Sequence, residues 1–500
     1  MWPESSSRKI LNKEVPMQAF NPYLPSYEYV PDGEPRIFGD RLYVFGSHDH
    51  FGGKDFCLGD YVCWSAPLTD LGDWRYDGVI YRRNQDPKNQ EGKWVMNAPD
   101  VLQGPDGRFY LYYQISMLTV ASVAVADRPE GPYEFYGYVR WPDGHTLGDA
   151  KDEIYCFDPS IFIDDDGRIY LYVGFSPDKG FFRNLMKMMK RNFDGGFGIE
   201  LEPDMLTVKG EPVMVAPGPI MTKGTSFEGH GFYEASSMRK INGKYYFVYS
   251  SILSHELCYA IGDSPLGPFT YGGTLVSIGD VGYQGRTEPN NYTGNTHGGM
   301  VEINGQWYIF YHRQTNKQKC ARQGCAEKVF IQPDGSIAQV ETTSCGLNDG
   351  PLLGRGKYDA RIACNLYSGQ GTFMYRSSFE KDKKGIHPYF TQSGQDRNEK
   401  PDQYIANMTD GSVAGFKYFC FDHAVRVGVT VRGTGEGKLL VYTKLHGNPI
   451  AEIPVTPSAQ WRCAQAWNTV QLSGTQPIFF MFKGTGAIDF RSFELQEVSQ

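Results

Sequence analysis

The sequence predicts an all-β protein, a five-bladed β-propeller followed by a C-terminal β-sandwich. Three observations carry this. A short hairpin signature recurs five times, a proline-bearing turn echoes behind two of the copies, and past Gly354 the repeat stops while alternating strands continue. The expected division is residues 1–355 for the propeller and 356–500 for the sandwich.

The hairpin signature is clearest in Phe157-Asp158-Pro159-Ser160-Ile161-Phe162-Ile163, which runs through Asp164-Asp165-Asp166-Gly167 into Arg168-Ile169-Tyr170-Leu171-Tyr172. Asp-Gly or Asn-Gly between runs that alternate apolar and polar residues marks a hairpin, because those residues accept the positive φ that the turn needs. The other copies are Gly39-Asp40, Asp106-Gly107, Asn242-Gly243 and Asn304-Gly305, each leading into an aromatic-rich strand. Successive glycines lie between 60 and 76 residues apart, a spacing that suits blades with long loops. The echo is Asp127-Arg128-Pro129-Glu130-Gly131-Pro132-Tyr133, which returns as Asp263-Ser264-Pro265-Leu266-Gly267-Pro268-Phe269, placed to turn into an outer strand.

Composition bounds the function. Five hundred residues accommodate two domains. A net charge of −8 and a pI near 5.8 argue against nucleic acid or an anionic membrane as partner, since either calls for a basic face. The first nine residues lack the apolar core of a secretory signal, and no stretch approaches the ~20 apolar residues of a membrane span. A cytoplasmic address is expected. Ten scattered cysteines without C-x-x-C pairing read as reduced, mostly buried thiols rather than zinc ligands. Residues Phe181 to Phe193 have helical apolar spacing and read as a short insertion on the rim.

In a propeller the innermost strands run beside the central axis, so residues at equivalent places in different blades converge on one mouth. Glu34 precedes the first hairpin as Asp158 precedes the third, each directly before a proline, and Glu234 lies one short strand before the fourth. Partial desolvation raises a glutamic acid's pKa, which suits Glu234 to donate a proton at neutral pH. Trp94 reads equally as a sugar-stacking platform and as inter-blade packing, with Asn97 and Asp100 as hydrogen-bonding partners for a hydroxyl. His297, at the start of an innermost strand, points to the axis, where it is either a core residue or a metal ligand acting together with waters. Arg322 follows the last inner hairpin, placed either in solvent or to grip a substrate hydroxyl or a carboxylate.

Taken together, Glu34-Pro35, Asp158-Pro159-Ser160-Ile161-Phe162 with Asp164-Asp165-Asp166-Gly167, Glu234 before Asn242-Gly243, and His297 before Asn304-Gly305-Gln306-Trp307-Tyr308 resemble glycoside hydrolase family 43. The resemblance covers most of residues 20–340. It implies an inverting glycosidase acting on an oligosaccharide, with Glu34 as general base and Asp32 left open as the alternative, Asp158 as the aspartate that tunes the acid's pKa, and Glu234 as general acid. It implies Arg322 as the arginine near the terminal sugar, in addition to Trp94, Asn97 and Asp100, the substrate-binding candidates read from the second blade itself. It also implies a structural Ca2+ or Na+ ion near His297, with no cofactor required for the chemistry. The expected activity is exo-acting α-L-arabinofuranosidase, β-D-xylosidase or both, on plant-type oligosaccharides. Most members carry aspartate where this chain has Glu34, and some galactan-cleaving members depart there too, so a galactan- or galactofuranoside-cleaving enzyme is the alternative, with a non-catalytic sugar-binding propeller as the third reading. Strands such as Ala424 to Val431 and Pro477 to Gly484 make the C-terminal part resemble carbohydrate-binding module family 6, with Trp467 as either a platform or core.

Overall fold

The computed structural model describes residues 18–178, 183–184, 187–188, 190–375, 385–397 and 402–498. Residues 181–182, 185–186 and 189 of the expected helical insertion at 181–193 lie outside these, as does the N-terminal stretch 1–9.

Five antiparallel sheets follow one another along the chain. Blade 1 comprises β1 (Glu34–Phe38), β2 (Arg41–Phe45), β3 (Tyr61–Pro67) and β4 (Arg75–Tyr81). Blade 2 comprises β5 (Asp100–Gln103), β6 (Phe109–Tyr113), β7 (Ser122–Ala126) and β8 (Glu134–Tyr138). Blade 3 comprises β9 (Ser160–Ile163), β10 (Ile169–Val173), β11 (Gly195–Leu201) and β12 (Val213–Pro217), and blade 4 comprises β13 (Phe232–Ile241), β14 (Lys244–Ser251), β15 (Glu256–Gly262) and β16 (Phe269–Ser277). Blade 5 has β17 (Met300–Ile303), β18 (Gln306–Thr315) and β19 (Gln318–Val329).

Each sequence signature joins the first two strands of a blade, and the Gly-Pro echoes lead into β8 and β16 as expected. The turns themselves differ. Asn242-Gly243 and Asn304-Gly305 are two-residue loops with both residues at positive φ, whereas the loops around Gly107 and Gly167 are longer and their aspartates are not left-handed.

Adjacent blades pack face to face. Because side chains alternate across a strand, the second strand of each blade feeds two interfaces. Leu111 and Tyr113 of β6 pack against Phe45 and Tyr61 of blade 1, while Tyr110 and Tyr112 pack against Ile161 and Leu171 of blade 3. The same division places Tyr172 with Phe247 and Tyr249, and Tyr246 with Ile309. Val44 closes the ring against Phe310. The N-terminal segment strengthens that closure, with Tyr23 N donating to Gly324 O at 3.2 Å and the Asn21 amide bonding both backbone groups of Ala326 at 2.9 Å.

The change of domain begins at Leu352–Leu353, which pairs with Val413–Phe421 of the sandwich, slightly ahead of the expected 355/356 boundary. One sandwich sheet is built on Val413–Phe421, Gly474–Thr485, Glu436–Tyr442 and Ala451–Val455. The other is built on Tyr404–Met408, Ile488–Glu497, Ala424–Gly433 and Ser458–Gln465. Phe416, Phe480, Phe490 and Phe493 fill the space between them. The sandwich docks on the propeller through Arg313, which stacks 3.8 Å from the Phe390 ring centre and donates to Arg361 O at 2.7 Å. Lys417 adds ion pairs to Asp280 at 3.2 Å and Glu341 at 2.8 Å. All ten cysteines are free and eight are buried. No helix among the described residues is long and apolar enough to cross a membrane.

Candidate active site

Three carboxylates meet at one end of the propeller axis. Asp32 stands two residues before β1 and Asp158 two residues before β9, both buried, with φ of 57° and 46°. Glu234 lies inside β13, where the pairing to β14 shifts register and Ala235 takes φ 70°. A bulge of this kind re-aims a side chain. His297 precedes β17, and a parallel bridge between Gly33 and Gly298 sets it beside Asp32. Its Nδ1 is 3.5 Å from Asp158 Oδ2 and 4.0 Å from Asp32 Oδ1.

The cup polarises its acids in opposite directions. Burial and then the neighbouring Asp158 charge push Glu234 up to about 8. Burial likewise raises Asp158, against the pull of His297. Burial alone would raise Asp32 too, but Arg322, His312 and His297 outweigh it and hold this carboxylate well below its ordinary range. Arg322 Nη1 donates to Asp32 Oδ1 at 2.8 Å, and its Nε and backbone nitrogen donate to Asp49 Oδ2 at 2.8 and 3.1 Å. His312 Nδ1 lies 3.3 Å from both the Asp32 backbone nitrogen and its Oδ1. Against burial, Asp158 and Asp32 raise His297 to about 9. An aromatic wall of Tyr155, Phe157, Phe175 and Tyr233 flanks the acid side.

A cup holding one carboxyl that keeps its proton near neutrality, and one that does not, is equipped for acid–base hydrolysis of a glycosidic bond. Comparison with known proteins agrees: the model of glycosyl hydrolases family 43 matches residues 35–337. The chain belongs to glycoside hydrolase family 43. It is 48% identical over 481 residues to a xylosidase/arabinosidase of Thermoclostridium stercorarium, covering 96% of this chain and 99% of that one. It is 30% identical to a β-xylosidase of Xylanibacter ruminicola over 58% of this chain and 89% of that one. Among solved structures, a family 43 β-xylosidase/α-arabinofuranosidase from a compost metagenome, in complex with xylotriose, aligns with TM-score 0.50 and 26% identity over 65% of this chain and 98% of that one. An arabinoxylan arabinofuranohydrolase from Bacillus subtilis aligns over 96% of this chain and 97% of its own, with TM-score 0.50; at 21% identity it shows the fold alone.

Within this family 43 propeller, the structure does not bring Glu34 to the cup. Its carboxylate accepts from Arg239 Nη2 and from Ser237 Oγ at 3.1 Å, with Arg36 3.6 Å away. Arg36 also pairs with Asp100 at 2.6 Å, and Asp100 accepts from Ser160 Oγ at 3.0 Å and Ile161 N at 2.9 Å. Arg239 completes the circuit by donating to Met300 O at 2.5 Å. These residues form a buried ionic belt that links all five blades. Asp100, expected to bind substrate, has both oxygens taken up by this belt.

Counting from the proline misled the sequence reading at position 34. Asp32 and Asp158 share their distance to the following strand, not to the following proline, and that offset is the signal that picks Asp32. Trp94 is half-buried against the core between blades 1 and 2, which places it as packing. Asn97 donates its side-chain amide to Gln114, and its carbonyl accepts from Tyr61, a phenol raised by burial and by Cys57, Asp158 and Asp32. Asn97 therefore borders the cup through its backbone. Of the three placements open to Arg322, solvent, a substrate hydroxyl or a carboxylate, its guanidinium takes the last, with its nitrogens on Asp32 and Asp49. Asp49, which holds Arg322, and His312 carried no motif.

For a metal, His297 turns Nδ1 to Asp158 and leaves Nε2 as the nitrogen for ligation, which requires the neutral ring. A separate group close enough to share an ion, His230, Glu256 and Cys258, lies in blade 4. Its glutamate oxygens already accept from His230 at 2.7 Å, Ser251 at 2.6 Å and Thr274 at 2.9 Å, which accounts for the grouping without an ion.

Proposed function

We propose that this family 43 enzyme removes terminal β-D-xylosyl and α-L-arabinofuranosyl residues from plant-type oligosaccharides, with inversion, using Asp32 as general base, Glu234 as general acid and Asp158 to keep the acid protonated. The observation that carries the roles is the opposite displacement of two carboxyl pKa values in one cup. The names of the relatives in the same family support the sugar class.

Glu234 gives its proton to the glycosidic oxygen as the bond to the anomeric carbon breaks. Asp32 takes a proton from the water whose oxygen attacks that carbon from the opposite face, so the released sugar has the inverted anomer. After turnover Glu234 is ionised and Asp32 protonated, and exchange with solvent restores both. Arg322 keeps Asp32 anionic before attack. A Ca2+ or Na+ ion would be held by His297 Nε2 and waters after displacing the proton that Asp158 and Asp32 favour on that ring, and would supply positive charge in its place; the proton transfers need only this chain's carboxyls. With Glu34 in the belt, the residue that favoured a galactan-cleaving enzyme no longer argues for it. Ten free cysteines suit a reducing compartment and support a cytoplasmic address.

The test is release from the nitrophenyl glycosides of α-L-arabinofuranose, β-D-xylose, β-D-galactose and β-D-galactofuranose, with the first product anomer followed by NMR on xylobiose. Release of the xyloside and arabinofuranoside with the α-xylose anomer appearing first is expected. Retention of the β anomer, or activity on the galactosides only, overturns the proposal.

A further inference from the structure

We infer that the sandwich completes the active site from behind: its Asp396 and Arg397 are positioning residues that hold the first-blade loop 47–57, and through that loop set Arg322 against Asp32. This rests on Asp32 being the general base.

The contacts form an unbroken chain of polar bonds from one domain to the other. Asp396 Oδ1 accepts from the backbone nitrogen of Phe51 at 2.7 Å. Arg397 Nη1 donates to Glu28 Oε1 at 3.0 Å and lies 2.9 Å from His48 Nε2, while its guanidinium stacks 5.0 Å from the Tyr76 ring centre. Tyr29 donates its hydroxyl to Gln392 at 2.7 Å. Of these partners Glu28, Tyr29 and His48 are buried. Glu28 is buried and also accepts from Trp64 Nε1 at 2.8 Å, so Arg397 supplies positive charge to a carboxylate that burial would otherwise penalise.

The held segment is the one that builds the base. Asp49 N donates to Tyr29 O at 2.9 Å, and Asp49 Oδ1 accepts from Cys57 N at 2.9 Å, which closes the loop on itself. The same carboxylate takes Nε, Nη2 and the backbone nitrogen of Arg322, leaving Nη1 for Asp32. Phe56, from the loop's far side, covers the guanidinium with its ring centre 4.7 Å away. Loop 47–57 has no strand of its own, and a long irregular loop holds a fixed geometry only where other elements pin it. Residues 392–397 supply that pinning from the sandwich. A misplacement of about 1 Å at a reacting group is enough to cost about 100-fold in rate, so loosening the loop acts on the chemical step.

The experiment uses the full chain, with Asp396→Ala, Asp396→Asn, Arg397→Met and the double variant Asp396→Ala/Arg397→Met assayed on nitrophenyl xyloside well below each variant's melting temperature. Asn keeps an oxygen for Phe51 N, so Asp396→Asn is expected within about twofold of the parent, whereas the double variant loses kcat by about tenfold with KM changed much less. Should the double variant fail to fold, Asp396→Ala against Asp396→Asn decides. A folded double variant with parental kcat, or Asp396→Asn as impaired as Asp396→Ala, overturns the inference. Asp32→Asn runs alongside: if it remains active the base assignment has failed, an outcome distinct from any result at 396 and 397.

Discussion

The belt and the cup sit on the same axis, draw on the same blades and are both built from buried acids, yet they do opposite things. In the belt, Glu34 and Asp100 face Arg36 and Arg239, two charges against two, and Asp100 is saturated with donors. In the cup, Asp32, Asp158 and Glu234 outnumber the cations near them, and of the three only Asp32 is bonded to a guanidinium, which it shares with Asp49. Matched charge makes a structural tie; unmatched charge forces one carboxyl to keep its proton, which makes it an acid usable at neutral pH.

The largest effects should separate the two regions by kind. Asp32→Asn and Glu234→Gln are each expected to lower kcat/KM on xylobiose by about 10² to 10⁴, the usual range for a lost general acid or base. Urea stability should change little for Glu234→Gln and fall less for Asp32→Asn than for the belt variants, because Arg322 keeps Asp49. Glu34→Gln and Asp100→Asn should do the reverse, costing about 3–5 kcal/mol of stability, because each strands a buried guanidinium, while the folded fraction stays active. Chemical denaturation paired with active-site titration distinguishes these outcomes. A well-folded Glu34→Gln enzyme without activity would erase the distinction between belt and cup.

A smaller effect sharpens the cup alone. The proposed mechanism needs Glu234 protonated, so kcat/KM should fall as pH rises through about 8. Asp158→Asn removes a negative neighbour that opposes ionisation of Glu234, so this alkaline limb should move to lower pH, as read from a pH–rate profile. The linked stability terms run in opposite directions. Glu234, raised in the fold, contributes stability that is full below its ordinary pKa and is lost as pH climbs through about 8. Asp32, depressed in the fold, contributes above its ordinary pKa and loses that contribution only as pH falls through its lowered value.

The smallest effect concerns the sandwich. Trp467, for which burial in the core was one reading, is 87% exposed. Trp467→Ala should leave both melting temperature and nitrophenyl glycoside turnover unchanged. A lower melting temperature would show packing that its exposure denies, and weaker retention on insoluble xylan in a pull-down would show a sugar platform.

Much of this was legible in the chain. Asn242-Gly243 and Asn304-Gly305 fold as two-residue turns, Tyr110 to Tyr113 alternate between two blade interfaces, and Asp158, Glu234, His297 and Arg322 gather in one place. Glu34 was not legible, because an acid before a proline looks alike whether an arginine from another blade awaits it or not. Asp49 was not either, since it acts through Arg322, far along the chain.

The sequence by itself determined the blades, because each hairpin satisfies its backbone bonds within a few residues and a period of two decides which side chains reach each interface. Only the tertiary structure decided which carboxyl is held protonated, which is held ionised and which is tied to an arginine. That depends on closing the ring, on the bulge at Glu234 and on which guanidinium arrives beside which oxygen, and charges set one another's pKa values through space rather than along the chain.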